Sequence, residues 1–220
     1  MINLLLVQKD INNRDMGKFL DDAATMNPDI ICFPELATSG CLYKGGTGVD
    51  IDELIKSLSG FSFSIFVGFP REHGEQLYNS YMYFKDGDYK VYDKINLFPP
   101  MNEPDVYTPG EVPGLVETEF GLLGVAICYD LRFPELFQRL AGSGARVIFV
   151  PAAFPRVRID DWKELIVQRA AESGVHVVGI NAVGNDGVNE FGGCTMVADP
   201  LGKVLVQADE ISELVVAVEI

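Results

Sequence analysis

The sequence has few cysteines and histidines, and this shortage argues against a metal-stabilised fold. Its 220 residues include four cysteines and two histidines. The cysteines, at positions 32, 41, 128 and 194, show no paired CxxC spacing, and neither His73 nor His176 stands at a metal-ligand interval from a cysteine. A structural zinc site is therefore not predicted. In a reducing compartment all four cysteines are expected to be free thiols.

Positive charge is also scarce. The chain has 17 lysines and arginines against 32 aspartates and glutamates, which gives a formal net charge of −15. Proteins that bind a phosphate backbone or an anionic membrane surface need a local excess of Lys and Arg. The charge therefore argues against nucleic acid and membrane partners, but it is compatible with a small acidic substrate held by an arginine in a pocket.

Long apolar runs are missing. The first residues, MINLLLVQKD, pass from a short apolar run straight into polar residues, without the basic region, apolar region and cleavage site of a signal peptide. No later run approaches the roughly 20 residues of a membrane span. We therefore expect a cytoplasmic protein. Because no low-complexity linker divides the chain, residues 1–220 are expected to form one domain.

Short apolar runs alternate with segments of helical period, which is typical of an α/β fold. The runs that predict strands include INLLLVQ, FSIFVGFP, GARVIFVP and GVHVVGINAVG, and those that predict helices are RDMGKFLDDAATM and DDWKELIVQRAAES. Asp-Gly within LYNSYMYFKDGDYKVYDK predicts a β-hairpin, and Pro-Leu-Gly near the C-terminus predicts another. These hairpins favour mixed sheets covered by helices over a purely parallel sheet.

The segment GVAICYDLRFPEL places Cys128 between a strand and a helix. Gly124 to Ile127 reads as an apolar strand, and a helix is predicted from Pro134 to about Ala141, before the glycines at 142 and 144. Ligands bind at the carboxyl ends of strands in open α/β sheets, and a nearby helix N-terminus favours a thiolate. Free cysteine is also among the most buried residue types, so core packing is the alternative.

Polar residues follow several of the predicted strands. Glu35 follows DIICFP, Lys94 follows YKVYD, Cys128 follows GVAI, and Asn181 follows HVVGI. Each alone could be a solvated loop position. Together they comprise an acid/base, a cation and a nucleophile, the set of groups that acyl transfer requires.

Three segments, FPELATSG around Glu35, YDKINLF around Lys94 and ICYDLRFPEL around Cys128, occur in the order of the signature segments of the nitrilase, or carbon–nitrogen hydrolase, superfamily. The chain resembles this superfamily nearly end to end, because it also contains NEPDVYTPG, RAAES, VVGINAVG and GGCTMVADPLGKVL. FPRVRIDDW and the short interval from Lys94 to Glu103 are similar to the bacterial ω-amidases, which act on amides of small 2-oxo dicarboxylic acids. The resemblance implies a four-layer α-β-β-α sandwich with mixed β-sheets, a homodimer and no cofactor.

The resemblance also implies a role for each site residue. Cys128 would attack the amide carbonyl and form a thioester, while Glu35 would accept and return protons. Lys94 and the backbone N–H of Tyr129 would stabilise the oxyanion. Glu103 matches a second glutamate that orients the lysine and the substrate, although its spacing alone is equally compatible with an exposed loop carboxylate.

Substrate contacts are predicted from charge. A guanidinium binds a carboxylate through two charge-assisted hydrogen bonds, which would offset the acidity of the protein. Arg132, Arg156 and Arg158 are the candidates, with surface or interface positions as the alternative for each. Trp162 is predicted either to pack a helix or to lie near the pocket.

Three other functions remain open at this point. The protein could hydrolyse carbamoyl compounds or nitriles, which differ from amides in pocket details. It could pair Cys128 with His176 in a papain-like protease, although no signature surrounds either residue. It could also be a catalytically silent binding protein on the same fold.

Overall fold

The structure, a computed structural model, describes all residues from Met1 to Ile220 and contains two six-stranded sheets. The first sheet comprises β1 (Asn3–Gln8), β2 (Ile30–Cys32), β3 (Ser64–His73), β4 (Gln76–Lys85), β5 (Asp88–Asp93) and β14 (Leu214–Glu219). The second comprises β6 (Gly114–Thr118), β7 (Gly121–Val125), β8 (Val147–Ala152), β9 (His176–Asn181), β12 (Met196–Ala198) and β13 (Val204–Gln207). A separate small hairpin is formed by β10 (Val183–Asn185) and β11 (Glu190–Gly192).

Five α-helices complete the chain: α1 (Gly17–Met26), α2 (Ile51–Leu58), α3 (Glu103–Val106), α4 (Pro134–Gly142) and α5 (Ile159–Ser173). None of them combines the length and the apolar character that crossing a membrane would need.

Both sheets have the same plan. Their orders are β14-β1-β2-β3-β4-β5 and β13-β12-β9-β8-β7-β6, and in each sheet three adjacent parallel strands are flanked by antiparallel ones. The prediction of mixed sheets is confirmed. Both predicted hairpins form, and Asp86 and Gly87 at the β4–β5 turn have φ values of 50° and 90°. Positive φ at both central positions is what a type I′ turn requires.

Successive side chains of a strand contribute to different layers of the core, because they point to opposite faces of the sheet. Leu4 and Leu6 of β1 point into a cluster of 38 buried residues that includes both sheets, whereas Leu5 and Val7 point into a second cluster of 16. The smaller cluster contains residues of α1 and α2, and the larger one contains Trp162 of α5. Because successive strand side chains face opposite sides, each sheet is apolar on both faces and is covered by helices outside. The four-layer α-β-β-α sandwich is thereby confirmed.

Two local features differ from the sequence prediction. The segment from 51 to 58, which we did not predict as a helix, forms α2, and Asp50 caps it by accepting from the N–H groups of Asp52 and Glu53. The strand before Cys128 ends at Val125, and a 3₁₀ turn, Cys128–Arg132, separates it from α4. The predicted helix from Pro134 is confirmed.

Candidate active site

The polar residues that follow the strands lie together at one end of the sandwich. Lys94 follows β5 directly, Glu35 comes three residues after β2, and Cys128 comes three residues after β7. Their side chains are deeply buried, with exposed fractions of 1%, 2% and 6%. The two sheets pack face to face, so these strand ends meet although they are far apart in the chain.

Lys94 lies between two carboxylates. Its Nζ is 2.8 Å from Oε1 of Glu35 and 2.8 Å from Oε1 of Glu103. Asn79 of β4 donates from Nδ2 to the same oxygens, at 2.7 Å and 3.3 Å. The second oxygen of Glu35 accepts from the backbone N–H of Ala153 at 2.8 Å. We call Glu35, Lys94 and Glu103 the ion cluster.

Electrostatics keep Lys94 charged. Burial alone would lower its pKa, but Glu103 and Glu35 together raise it well above the ordinary value. The pKa of Glu103 is raised by burial, an effect that Lys94 opposes. A buried charge needs such partners, because the protein interior solvates it far less well than water does. The cluster therefore presents a permanent ammonium group to the cavity.

Cys128 begins the 3₁₀ turn with a φ of 45°, in the left-handed region that residues other than glycine seldom adopt. Burial raises the pKa of its thiol well above the ordinary value, and the charge of Glu35 and a hydrogen bond to it raise the pKa further, while Lys94 opposes the rise. The thiolate that the strand-to-helix position suggested is thus not favoured in the free protein. Attack by this sulfur would require a base, and Glu35 lines the same cavity as Cys128.

A buried carboxylate connects the lysine loop to the cysteine turn. Asp130 is fully buried, and its Oδ2 accepts from the hydroxyl of Tyr92 at 2.7 Å and from the N–H of Ile127 at 2.9 Å. Its Oδ1 accepts from the backbone and side-chain nitrogens of Asn96 at 2.9 Å and 2.8 Å. Asp130 therefore connects the loop of Lys94, two residues before Asn96, to the turn that begins with Cys128.

Two cavities meet at Cys128 and Phe98, which line both. The first, here the acidic cavity, is lined by Glu35, Leu36, Cys41, Leu42, Tyr43, Lys94, Phe98, Met101, Glu103, Tyr107, Cys128 and Ala153. The second, here the arginine cavity, is lined by Phe98, Cys128, Tyr129, Arg132, Phe154, Pro155 and Arg158. A ligand whose reacting atom lies at the sulfur can therefore extend toward acids on one side and toward guanidinium groups on the other.

The structure separates the candidate substrate residues into two groups. Arg132 and Arg158 line the arginine cavity; Arg132 is ion-paired to Asp161 at 2.6 Å, whereas Arg158 has no ion-pair partner. Arg156 lies outside both cavities, with Glu190 at 2.8 Å.

Trp162 also lies outside the two cavities. It is fully buried and donates from Nε1 to the carbonyl of Cys194 at 2.9 Å. Its ring packs so closely on Gly179 that a Cβ there would come within 2.6 Å of it. These contacts correspond to the helix-packing alternative for Trp162.

His176 lies far from the thiol. It begins β9, where it pairs in register with Val147 of β8. Val147 in turn pairs with Leu123 of β7. Cys128 is five residues beyond Leu123, which corresponds to about 16 Å along an extended chain. A papain-like pairing of Cys128 with His176 is therefore not available in this fold.

Asn181, at the other end of β9, is fully buried, and its side chain is hydrogen-bonded to backbone groups. Its Oδ1 accepts from the N–H of Phe154 at 2.7 Å, and its Nδ2 donates to the carbonyl of Gly193 at 2.7 Å. It lines neither cavity. Asn181 therefore positions the loop of Phe154, which forms one wall of the arginine cavity.

Sequence reasoning did not single out Asn79, Tyr107 or Asp130 as site residues. Asn79 could have been noticed as a polar residue inside LYNSYMYFK, where it lies among aromatic side chains that are buried in the structure. Asp130 lies within the segment ICYDLRFPEL, but the resemblance assigned no role to its carboxylate. No group of three or more His, Cys, Asp or Glu side chains is arranged to hold a metal ion.

The chain is similar to known proteins in sequence and in fold. Residues 6–220 match the model of the carbon-nitrogen hydrolase family. The chain is 30% identical to the 2-oxoglutaramate amidase of Bacillus subtilis strain 168 over 214 residues, which cover 90% of this chain and 81% of that protein. It is 33% identical to a probable nitrilase of Schizosaccharomyces pombe over 224 residues, which cover 94% and 81%.

Among solved structures, Nit3 of Saccharomyces cerevisiae, a member of branch 10 of the nitrilase superfamily, superposes with a TM-score of 0.83. Its sequence identity is 26%, and the superposition covers 99% of this chain and 89% of the Nit3 chain. The family match over almost the whole sequence and the shared sandwich lead to one conclusion: the chain belongs to the carbon–nitrogen hydrolase family.

Proposed function

We propose that the protein is a cysteine-dependent amidase that releases ammonia from a small linear amide with a carboxylate at its far end. The observation that carries the proposal is the buried set of Cys128, Glu35 and Lys94, in which a thiol, a base and a fixed cation meet at one cavity. The 2-oxoglutaramate amidase of Bacillus subtilis, at 30% identity, supports the substrate class. The two guanidinium groups of the arginine cavity support the carboxylate.

The first half of the reaction forms a thioester. Glu35 removes the proton from the sulfur of Cys128 as the sulfur attacks the carbonyl carbon. Negative charge then develops on the carbonyl oxygen, where Lys94 and the backbone N–H of Tyr129 stabilise it; one such contact is typically worth about 3–4 kcal/mol. The C–N bond breaks as Glu35 passes the proton to the nitrogen, and ammonia leaves.

The second half consumes water. Glu35 removes a proton from a water molecule, whose oxygen attacks the thioester carbon. The C–S bond breaks, the sulfur regains its proton, and the product leaves as a carboxylic acid. Glu103 contributes by holding Lys94 from a second side and by helping to keep its ammonium charged through both halves.

Ammonia release from 2-oxoglutaramate, 2-oxosuccinamate and simple aliphatic amides tests this function. Cys128→Ala should abolish release, because Cys41, the other thiol that lines the acidic cavity, does not line the arginine cavity that receives the carboxylate arm. Cys32→Ala, which removes a buried thiol from the core cluster, is the matched control and should retain activity. Release at the wild-type rate in Cys128→Ala would rule out this nucleophile.

The carboxylate contact is assigned to Arg158, with Arg132 beside it, because Arg158 has no acidic partner to give up. We measure the preference as the ratio of kcat/KM for a carboxylate-bearing amide to kcat/KM for a neutral amide of equal length. In Arg158→Ala this ratio should be at least about tenfold lower than in the wild type, which corresponds to about 1.4 kcal/mol of transition-state stabilisation. Arg156→Ala removes a guanidinium from outside both cavities and should leave this preference unchanged. An unchanged preference in Arg158→Ala would refute the contact.

We further propose that residues 1–220 act as one catalytic domain, that two copies form a homodimer and that the protein is cytoplasmic, as the family resemblance implies. Light scattering coupled to size-exclusion chromatography would test the assembly. A mass of one chain at micromolar concentration would contradict the dimer. Cell fractionation would test the location.

A further inference from the structure

Two buried side-chain oxygens of the protein have no hydrogen-bond partner, and both belong to residues beside the ion cluster. They are Oδ1 of Asn79 and the hydroxyl of Tyr107. Buried polar atoms are almost always hydrogen-bonded, since an unpaired one loses its contacts with water and gains nothing in return. Because Tyr107 is only 4% exposed and lines the acidic cavity, its free hydroxyl marks a place for a polar atom of a ligand.

Tyr107 is held at the wall of this cavity by its backbone. It directly follows α3, and its N–H donates to the carbonyl of Glu103 at 2.8 Å. Burial raises the pKa of its phenol, and the nearby charges of Glu103 and Glu35 raise it further, against the effect of Lys94. The hydroxyl therefore keeps its proton, and it can both accept a hydrogen bond and donate one.

The proposed reaction determines which part of a substrate faces Tyr107. The carbonyl carbon must reach Cys128, and the carboxylate arm extends into the arginine cavity. The amide nitrogen must then point toward Glu35, which protonates it, and hence into the acidic cavity that Tyr107 lines with Leu42 and Met101. Tyr107, Leu42 and Met101 form the wall of the cavity on this side. An N-alkyl group on the amide would project against this wall, whereas an unsubstituted –NH₂ group would not.

We propose that the Tyr107 hydroxyl binds the nitrogen end of the substrate amide, and that its ring restricts the enzyme to primary amides. This assignment rests on the proposed amidase function. In it, the –NH₂ group donates one N–H to the phenol oxygen, and once the tetrahedral intermediate has formed the nitrogen lone pair is directed toward Glu35. Tyr107 is thus a specificity residue that contacts the leaving group rather than the reacting carbonyl.

Tyr107→Phe removes only the hydroxyl. We expect kcat/KM for a primary amide to fall at least fivefold, while the melting temperature stays equal or rises, since the lost group has no partner in the free protein. Tyr83→Phe is the matched control: its hydroxyl is buried 3.0 Å from that of Ser64, so the melting temperature should fall and activity should stay. A purely structural role for Tyr107 would instead lower stability and leave kcat/KM unchanged.

Tyr107→Ala also removes the ring. We expect the ratio of kcat/KM for the N-methyl amide to that for the primary amide to rise at least tenfold, measured by methylamine and ammonia release. If the alanine variant does not fold, Tyr107→Leu opens the same wall with a smaller loss of volume. A Tyr107→Phe enzyme within twofold of wild type, together with an unchanged ratio in the variant that opens the wall, would overturn the assignment.

These outcomes are separable from failure of the proposed function. Ammonia release by the wild type that disappears in Cys128→Ala establishes the amidase whatever the tyrosine variants do. A wild-type protein that releases no ammonia from any amide would refute both proposals.

Discussion

The protein buries two lysines, and their surroundings are opposite. Lys9 and Lys94 are each 1% exposed, and each directly follows a strand of the first sheet. Lys94 has two carboxylate oxygens at 2.8 Å, whereas Nζ of Lys9 has the carbonyl of Ala37 at 3.2 Å. The pKa of Lys94 is raised well above its ordinary value, and that of Lys9 is lowered to about 8.

The difference shows that the partners of a buried lysine decide the direction in which its pKa shifts. Burial lowers the pKa of both residues, but at Lys9 the charges of Glu213, Asp10 and Asp15 offset only part of the effect. Lys94 therefore stays protonated over a wider pH range than Lys9, as the proposed role in oxyanion stabilisation requires. Lys9 binds a backbone carbonyl two residues after Glu35, and we interpret it as support for that loop.

Replacing Lys94 should have the largest effect. Lys94→Met removes the cation from between Glu35 and Glu103, so kcat should fall about 10³-fold and the free energy of unfolding should fall by about 3–5 kcal/mol. Steady-state ammonia release and urea denaturation measure the two effects. Lys9→Met is the control for the loss of a buried lysine, and comparable losses of activity in the two variants would refute the contrast.

Replacing one of the two carboxylates should have a smaller effect. Glu103→Gln keeps the shape of the side chain but removes the charge that does most to raise the pKa of Lys94. We expect kcat to fall about 10²-fold. We also expect the basic limb of the pH–rate profile to shift to lower pH than in the wild type, because Lys94 releases its proton more easily. A pH–rate profile with an unchanged basic limb would show that Glu103 does not set the charge of Lys94.

The anchor of the Lys94 loop is the next test. Asp130→Asn replaces an oxygen that accepts two hydrogen bonds with an amino group that cannot accept them, so the loop and the cysteine turn should lose register. We expect about a tenfold loss of kcat and a lower melting temperature. Asp88→Asn, at the exposed start of β5, should change neither quantity. Wild-type kcat in Asp130→Asn would mean that other contacts place Lys94.

Replacing Lys9 should have the smallest effect, with the opposite sign. The shift of its pKa from 10.5 to about 8 corresponds to about 3 kcal/mol of penalty at neutral pH, from which the lost hydrogen bond to Ala37 subtracts about 1 kcal/mol. We expect Lys9→Met to raise the free energy of unfolding by about 1–2 kcal/mol at pH 7. A loss of stability would show that the carbonyl contact outweighs the cost of burying the charge.

The pH dependence of stability in the wild type and in Lys9→Met tests the lowered pKa of Lys9. Between pH 8 and 10.5 the unfolded chain keeps the Lys9 proton and the folded chain releases it, so the unfolded state binds more protons. The wild type should therefore gain stability relative to Lys9→Met as the pH rises through this window. Urea denaturation at pH 7 and pH 10 would measure the change, and a constant difference would contradict the lowered pKa.

Much of the fold was predictable because its signals are local. The short apolar runs, the Asp86-Gly87 turn and Pro134 each act through near neighbours in the chain, and the corresponding strands, hairpin and helix form. Helix α2 was missed because it lies beside a Gly-rich segment, although its apolar residues recur at helical spacing and Asp50 caps it. The types and order of Glu35, Lys94 and Cys128 also indicate acyl transfer independently of any distance.

The sequence by itself determined which elements form, the chemical groups at the strand ends and the family to which the chain belongs. Only the tertiary structure decided that Cys128 is a buried thiol beside Glu35, that the pKa of Lys94 is raised while that of Lys9 is lowered, and that Arg158 rather than Arg156 lines the arginine cavity. Burial and pairing depend on groups far apart in the chain: Asn79 and Glu35 are 44 residues apart, and Lys94 and Glu35 are 59 apart. Charge and hydrogen-bond state follow from such contacts, which no local pattern encodes.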